Sequence, residues 1–272
     1  MSQQITFIGG GNMASAMVAG LLEAGTSPSD LRIVEPGKAR RLELQERFEV
    51  GTTVDLVEAC RRASIIVLAV KPDVVPVVAK QIADAIVLEG KLVISIAAGT
   101  TTAVLEEILG ELVAILRAMP NSPATFGLGA TGFYANRHVS AAHLDQAMDI
   151  LSSIGLSLRF PTETQLDAVT AVAGSGPAYF FLLMEEMVRA GQNLGLAAED
   201  ARRLTLQTAL GAARMAADTE LTFCELRQRV TSPGGTTHAA VSCLQQAGFG
   251  QIINEAMTRA RDRAIEMGRT LA

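Results

Sequence analysis

Aromatic residues are scarce in this sequence, at 4% of its 272 positions, and tryptophan is absent, while hydrophobic residues make up 49%. The core is therefore expected to be aliphatic, and so apolar a chain does not fit the disordered class. Lys and Arg total 23 against 28 Asp and Glu, a net charge of −5. A mildly acidic chain without long basic runs argues against binding to nucleic acid or to an anionic membrane.

Cysteine is scarcer still: the three cysteines, Cys60, Cys224 and Cys243, lie far apart, without a CxxC pair. This pattern excludes a disulfide framework and a zinc site, so we expect no metal. No basic segment precedes the first apolar stretch, which predicts no signal peptide. Every apolar run is shorter than the ~20 residues that cross a bilayer. We therefore expect a soluble, cytoplasmic protein.

The first part of the chain alternates short runs rich in Ile and Val with amphipathic stretches. Strand-like runs are predicted at 5–8, 31–35, 64–70, 91–97, 112–118, 130–135 and 155–160. Helices are predicted at 12–24, 39–48, 55–61, 76–88 and 141–153. Such alternation predicts an α/β fold with a doubly wound, parallel sheet. The length fits two domains at ~100–200 residues each.

Beyond Pro161 the pattern becomes entirely helical. Helices are predicted at 163–173, 178–194, 198–217, 223–229, 236–246 and 249–269. We therefore divide the chain into a dinucleotide-binding domain, 1–161, and an all-α domain, 162–272.

The first strand-like run leads into the pattern Gly9-x-Gly11-x-x-Ala14. Gly9 permits the sharp turn, Gly11 lets a pyrophosphate approach the backbone, and Ala14 keeps the helix close to the strand. The amides at the helix start, at Asn12 and Met13, face the anion. A glycine-rich turn without a ligand is the alternative, but the position between a strand and a helix favours dinucleotide binding.

The choice between NADH and NADPH depends on the end of the second strand. Glu35 can accept hydrogen bonds from the ribose hydroxyls and would repel a 2′-phosphate. Lys38, Arg40 and Arg41 follow within two helical turns, and they either pair with a phosphate or form a solvated helix face. Glu35 favours NADH, and NADPH remains open.

Two further strand ends carry candidate coenzyme residues, since ligands of open α/β sheets bind at the carboxyl ends of the strands. Lys71 can meet a phosphate or ribose, although a surface lysine is the simpler alternative. The small residues that end the next strand leave room for the ribose or nicotinamide. These candidates are Ala69, Val70, Lys71, Pro72, Ala97, Ala98 and Gly99.

The helical half contains no lysine, because the four lysines are Lys38, Lys71, Lys80 and Lys91. Dehydrogenases of the β-hydroxyacid type use a lysine from the second domain to protonate the alkoxide that hydride addition to a carbonyl creates. The missing lysine favours an acceptor that needs little acid catalysis. A protonated imine is such an acceptor, since hydride addition to it yields a neutral amine.

The segment 231–237 packs three threonines, one serine and two glycines into seven residues before a predicted helix. Hydroxyls together with free amides at a helix start can hold a carboxylate. An ordinary Pro-Gly turn is the alternative, but so many polar donors in an apolar domain favour a ligand.

With these features the chain resembles the pyrroline-5-carboxylate reductases. The resemblance rests on 8–14 (IGGGNMA), 69–72 (AVKP), 117–123 (RAMPNSP), 171–179 (AVAGSGPAY), 210–213 (LGAA) and 230–237 (VTSPGGTT). These segments occur in family order along nearly the whole chain. Many members have Asn where this chain has Arg229, and Ser where it has Ala173. Family members often prefer NADPH and carry short polar or basic residues after the second strand, where this chain has Glu35.

The resemblance implies NAD(P)H-dependent reduction of L-1-pyrroline-5-carboxylate to L-proline by a Rossmann domain and a helical domain. It implies a homodimer through the helical domain, often assembled into a decamer, in which each site takes residues from both chains. The carboxylate contacts would fall on Ser232, Gly234, Gly235, Thr236 and Thr237. Thr170 would meet the ring nitrogen or relay a proton, and the nicotinamide side would be formed by Met119, Pro120 and Asn121.

Two alternatives remain at this point. The same scaffold could reduce another cyclic imine or a 2-keto acid, or it could bind a dinucleotide without catalysis. The anion-binding segment argues against the second, because a pure dinucleotide sensor needs no second anion site.

Overall fold

The computed structural model describes residues 4–271, and their eight strands form one sheet. The strands are β1 (Ile5–Ile8), β2 (Leu31–Val34), β3 (Gly51–Thr53), β4 (Ile65–Leu68), β5 (Leu92–Ser95), β6 (Ala114–Met119), β7 (Gly129–Ala135) and β8 (Gly155–Arg159). Their order is β3-β2-β1-β4-β5-β6-β7-β8, and every neighbouring pair is parallel except β6 and β7. The strand order therefore reverses between β1 and β4, where ligands bind in open α/β sheets.

Six helices connect the strands: α1 (Asn12–Glu23), α2 (Lys38–Phe48), α3 (Leu56–Arg62), α4 (Val75–Ala85), α5 (Thr102–Leu109) and α6 (Ala141–Ser152). Six more follow: α7 (Gln165–Val169), α8 (Gly176–Asn193), α9 (Ala198–Ala217), α10 (Phe223–Arg229), α11 (Thr236–Gln246) and α12 (Phe249–Leu271). A π-helical turn, Thr170–Gly174, lies between α7 and α8. No strand follows Arg159 within the described residues.

The central strands are buried on both faces, because helices cover the sheet on both sides. Every residue of β1, β4 and β5 is buried, which explains their continuous apolar sequences. One apolar cluster contains Phe7 and Phe133, and the cluster on the opposite face contains Ile66 and Leu105. The sheet thereby fixes the loops at its carboxyl edge on a rigid base.

The predicted fold class is confirmed: a doubly wound α/β sheet precedes an all-helical region. All seven predicted strands occur. Among the strands and α-helices of the described residues, two elements escape prediction. Strand β3 has only three residues at the sheet edge, too few for a periodic pattern. Helix α5 has eight residues, and its start is marked by Thr101, whose hydroxyl accepts a hydrogen bond from the Val104 amide at 3.3 Å.

The contacts within the chain define two compact units. One unit contains the residues up to Ser175 together with those from Ala260 onward, and the other spans 176–259. This division differs from the predicted boundary after residue 161, because α7 and the π-helical turn belong to the sheet unit. The division into functional domains at 161/162 remains a prediction.

Candidate functional site

The turn after β1 is held close to the neighbouring strands. Gly9 has a φ of +100°, and its amide donates to the Val34 carbonyl at 2.8 Å. A Cβ at Gly9 would lie 2.7 Å from the Ala69 carbonyl oxygen. Glycine is therefore required here both for the left-handed conformation and for the approach of the chain after β4.

The start of α1 is open for an anion. A Cβ at Gly11 would meet nothing within 4 Å, and no side chain caps this helix start. Ala14 is buried against the sheet, whereas Asn12 and Met13 are more accessible. Free amides at the positive end of a 12-residue helix fit the pyrophosphate of a dinucleotide. The residues present therefore fit the predicted coenzyme.

The other predicted coenzyme residues follow the same sheet edge. Glu35 comes directly after β2, and its amide donates to the Thr53 carbonyl at 3.0 Å. The segment 69–72 follows β4, and the segment 97–99 follows β5 and ends at Gly99 with a φ of +79°. These strands are parallel, so all these residues lie at one edge of the sheet.

The segment after β6 is joined to the π-helical turn. The Asn121 Nδ2 amide donates to the Ala173 carbonyl at 2.9 Å, and its Oδ1 accepts from the Ala130 amide at 2.8 Å. A Cβ at Gly174 would lie 2.9 Å from the terminal methyl group of Met119. The side chain of Asn121 thus holds the backbone of the turn, a role that its type alone does not indicate.

Thr170 opens the π-helical turn. Its hydroxyl donates to the Leu166 carbonyl at 2.8 Å, and its own carbonyl accepts from the Ser175 amide at 2.8 Å. The proton of the hydroxyl is therefore used inside the helix, and the oxygen keeps a lone pair for an outside donor. π-helical turns often occur at functional sites.

A buried ion cluster beside this turn was missed by sequence reasoning. Arg117 on β6 contacts Glu163 at 3.0 Å and Asp167 at 3.9 Å. Burial raises the pKa of Asp167, Arg117 opposes this shift, and the negative charge of Glu163 adds to it. A cavity of about 270 Å³, lined in part by Gly99 and Gly268, lies next to the cluster. In the sequence, the one indication of this ion cluster is the charged Arg117 within an otherwise apolar strand.

The predicted carboxylate-binding segment lies in the second unit, before α11. Gly234 has a φ of +72°, and the Gly235 amide donates to the Ser232 carbonyl at 3.0 Å. Gly235 is the N-cap residue of α11, and no side chain caps this helix. The amides of Thr236 and Thr237 are therefore not taken up by a capping side chain, which leaves them for an acceptor such as a carboxylate.

The second unit also exposes a large apolar surface on α8 and α9. Phe180, Leu183, Leu206 and Leu210 are all at least 45% exposed. They line a cavity of about 840 Å³, which Phe223 of α10 also borders. An exposed apolar surface of this kind marks an interaction site.

Among the described residues, one continuous helical stretch has the length and apolar composition needed to cross a membrane. It spans Gln165–Asn193. It includes α8, whose apolar side chains belong to the surface described above. Within residues 4–271 no group of three His, Cys, Asp or Glu side chains is placed to hold a metal ion.

Comparison with family models matches two parts of the chain. Residues 163–267 match the model described as pyrroline-5-carboxylate reductase dimerisation. Residues 4–99 match the model described as NADP oxidoreductase, coenzyme F420-dependent. The matches cover the helical region and the first strands of the sheet.

Individual relatives cover nearly the whole chain. The pyrroline-5-carboxylate reductase of Pseudomonas aeruginosa is 46% identical over 268 residues, 98% of both chains. That of Synechocystis is 40% identical and covers 99% of this chain and 100% of its own. Among solved structures, the Coxiella burnetii reductase has a TM-score of 0.94 and 41% identity, covering 98% and 99% of the chains. The Plasmodium falciparum enzyme with NADP bound has a TM-score of 0.86 and 30% identity, covering 98% of both.

Proposed function

This chain belongs to the pyrroline-5-carboxylate reductase family, and we propose that residues 232–237 hold the carboxylate of its substrate. The chain is an NAD(P)H-dependent oxidoreductase of proline biosynthesis. It reduces L-1-pyrroline-5-carboxylate to L-proline, by addition of a hydride to the C=N carbon. The reaction needs a site for the coenzyme, a site for the substrate carboxylate, and a polar atom near the ring nitrogen of the substrate.

Residues at the carboxyl edge of the sheet bind the coenzyme. The reduced nicotinamide supplies the hydride when the coenzyme is bound. The turn 9–14 holds the pyrophosphate with its free amides, and the small residues 97–99 leave space for the ribose and nicotinamide. Met119 and Pro120 lie at the end of β6 and form the wall on the nicotinamide side.

The uncapped start of α11 is the observation that carries the assignment of the carboxylate site. Gly234 and Gly235 bring the backbone into the open turn, and no side chain competes for the first amides of the 11-residue helix. The hydroxyls of Thr236 and Thr237 add donors at the same position. Such a site binds a carboxylate through its geometry and the helix dipole, without needing an arginine.

Thr170 orients the ring nitrogen in this proposal. Because its hydroxyl proton is donated to Leu166, its oxygen is ready to accept a hydrogen bond from a protonated imine. The substrate then brings its own proton, and catalysis comes mainly from holding the reactants in position.

The carboxylate site can be tested by two matched variants. We expect Thr237→Ala to raise KM for pyrroline-5-carboxylate about tenfold or more, since a hydrogen bond to a charged group contributes ~1.5–3 kcal/mol. Thr231→Ala is the control, because the Thr231 hydroxyl already donates to the Arg227 carbonyl at 2.6 Å. We expect KM in this variant to stay near the wild-type value.

Equal effects of the two substitutions would contradict the assignment. The assay should also include the six-membered cyclic imine acid and a 2-hydroxy acid in the reverse direction. Faster turnover of either compound than of pyrroline-5-carboxylate or proline would move the activity to another substrate of the same scaffold.

In our proposal, a second copy of this chain covers the apolar surface of α8 and α9. It lies within the region that matches the dimerisation model, and its side chains are too apolar and too exposed to face water in a stable monomer. A homodimer is the minimal assembly, and dimers can associate further into a decamer. We place the enzyme in the cytoplasm, where its three thiols stay reduced.

A further inference from the structure

The carboxylate of Glu35 is fixed on two backbone amides. Its Oε2 accepts from the Gly10 amide at 3.0 Å, and its Oε1 accepts from the Gly37 amide at 2.8 Å. Gly10 lies inside the turn that binds the pyrophosphate. The acidic residue after β2 and the pyrophosphate turn are therefore directly connected.

Arg40 holds the carbonyl group of the same residue, Gly10. Its Nε donates to the Gly10 carbonyl at 2.8 Å, and one terminal nitrogen donates to the Ser15 hydroxyl at 2.7 Å. A Cβ at Gly10 would lie 3.3 Å from the Glu35 Oε2 and 2.5 Å from a Leu44 methyl group. We call Glu35 and Arg40, which hold the N–H and the C=O of Gly10, the Gly10 clasp.

Of the three basic residues that follow β2, Lys38 is exposed, whereas the two arginines are engaged with other groups of the protein. The other terminal nitrogen of Arg40 contacts Glu43 at 2.6 Å. Arg41 donates to the carbonyls of Glu35 and Pro36, each at 2.8 Å. Both guanidinium groups are thus used inside the protein, and a phosphate at this strand end would face the Glu35 carboxylate. A ribose hydroxyl, in contrast, can donate to a carboxylate oxygen that still has a free lone pair.

We propose that the Gly10 clasp makes this chain prefer NADH to NADPH, with Glu35 as the residue that determines the choice. This inference rests on the proposed binding of the coenzyme at the turn 9–14. Glu35 has two effects: its charge discriminates against the 2′-phosphate, and its hydrogen bond to Gly10 stabilises the turn. Arg40 stabilises the turn without serving as a phosphate ligand.

The test compares binding of ADP-ribose and 2′-phospho-ADP-ribose by isothermal titration calorimetry. Neither compound carries a nicotinamide, so their binding is independent of the reaction. For the wild-type protein we expect ADP-ribose to bind about tenfold more tightly or better, from the repulsion of two charges a few ångströms apart. Equal or tighter binding of the phosphorylated compound, or binding of neither, would overturn the proposal.

Two substitutions of glutamate by glutamine separate the role of Glu35 from a general change in charge. Glu35→Gln keeps one oxygen acceptor and removes the charge, so we expect the affinity ratio to fall towards one. Glu46→Gln makes the same change further along α2, on an exposed side chain outside the clasp. We expect the ratio in this control to stay at the wild-type value, and an equal fall in both variants would contradict a specific role of Glu35.

Arg40→Ala distinguishes a clasp from a phosphate-binding site. In our proposal this variant weakens both ligands by a similar factor, because the Gly10 peptide loses one of its two anchors. A loss confined to 2′-phospho-ADP-ribose would identify Arg40 as a phosphate ligand and overturn the proposal. Initial rates with NADH and NADPH should follow the binding ratio. A lack of pyrroline-5-carboxylate reduction with both coenzymes would count against the proposed function alone, since the binding ratio would still be measured.

Discussion

The carboxylate of Glu163 lies 3.0 Å from the guanidinium group of Arg117, and the two side chains are only 19% and 7% exposed. Glu163 also accepts hydrogen bonds from the Thr102 amide at 2.8 Å and the Thr102 hydroxyl at 2.6 Å. One carboxylate therefore connects β6, the start of α5 and the segment before α7. Residues 97–99 precede α5, Met119 ends β6, and Thr170 follows α7.

Glu163→Gln tests this connection. The amide oxygen can still accept from the Thr102 amide and from Arg117, but the negative charge that pairs with the buried guanidinium group is lost. We expect the free energy of unfolding to fall by ~3 kcal/mol, the lower end of the range for breaking a buried ion pair, because the Glu163 side chain is 19% exposed. Urea unfolding followed by circular dichroism measures this change.

Glu58→Gln is the control for the buried pair, since Glu58 forms exposed ion pairs with Arg61 and Arg62. An exposed pair contributes ~1 kcal/mol or less. If the two glutamine variants lose the same small amount of stability, Glu163 does not connect these elements as the structure indicates.

Asp167 gives a prediction on pH. Burial raises its pKa, more than the attraction of Arg117 lowers it. The folded state therefore binds this proton more tightly than the unfolded state, and the associated stability is present at acidic pH and is lost as the pH rises through the folded pKa. At neutral pH the charged Asp167 destabilises the fold.

Asp167→Asn, which imitates the protonated acid, should therefore be more stable than wild type at pH 7. The difference should shrink as the pH falls towards the ordinary range of Asp, ~3.9. Unfolding free energies of both proteins from pH 4 to 7 provide the measurement. A variant that is less stable than wild type at pH 7 would show that the ion pair with Arg117 outweighs the cost of burial.

Much of this architecture could be predicted from the sequence, because its signals are local. The pattern from Gly9 to Ala14 depends on the contact of one turn with its neighbouring strands. Each central strand is a continuous apolar run, which can be recognised without knowing its neighbours. The same applies to the start of α11 at Gly235. In each case a few consecutive residues carry the physical cause.

The internal contacts of the site could not be predicted in this way. Asn121 holds Ala173 across 52 positions, and Glu163 holds Thr102 across 61. Such pairs depend on which loops meet at the sheet edge, and the partner of a side chain cannot be predicted from its residue type alone. Arg40 illustrates the same point: in the sequence it is an alternative phosphate ligand, whereas in the structure its donors are used on Gly10, Ser15 and Glu43.

Thr170→Ala tests whether the hydroxyl orients the substrate or donates a proton. If it only accepts a hydrogen bond, we expect kcat to fall about tenfold, the loss of a bond to a charged group, with the pH profile of kcat unchanged. Thr170→Ser keeps the hydroxyl and should restore most of the rate. A complete loss of turnover in Thr170→Ala, with coenzyme binding intact, would instead make the hydroxyl an essential acid.

Leu210→Arg tests the apolar surface of α8 and α9. Leu210 is 57% exposed in the single chain and lines the large cavity of this surface. If a second copy covers it, an arginine there places an unpaired charge in an apolar interface, at a cost of several kcal/mol. We expect the dissociation constant of the dimer to rise by a factor of about 100 or more, measured by sedimentation equilibrium.

Val87→Arg is the control, because Val87 is 76% exposed on the sheet unit, and it should leave the assembly unchanged. If Leu210→Arg sediments as the wild type does, the two copies associate through another surface.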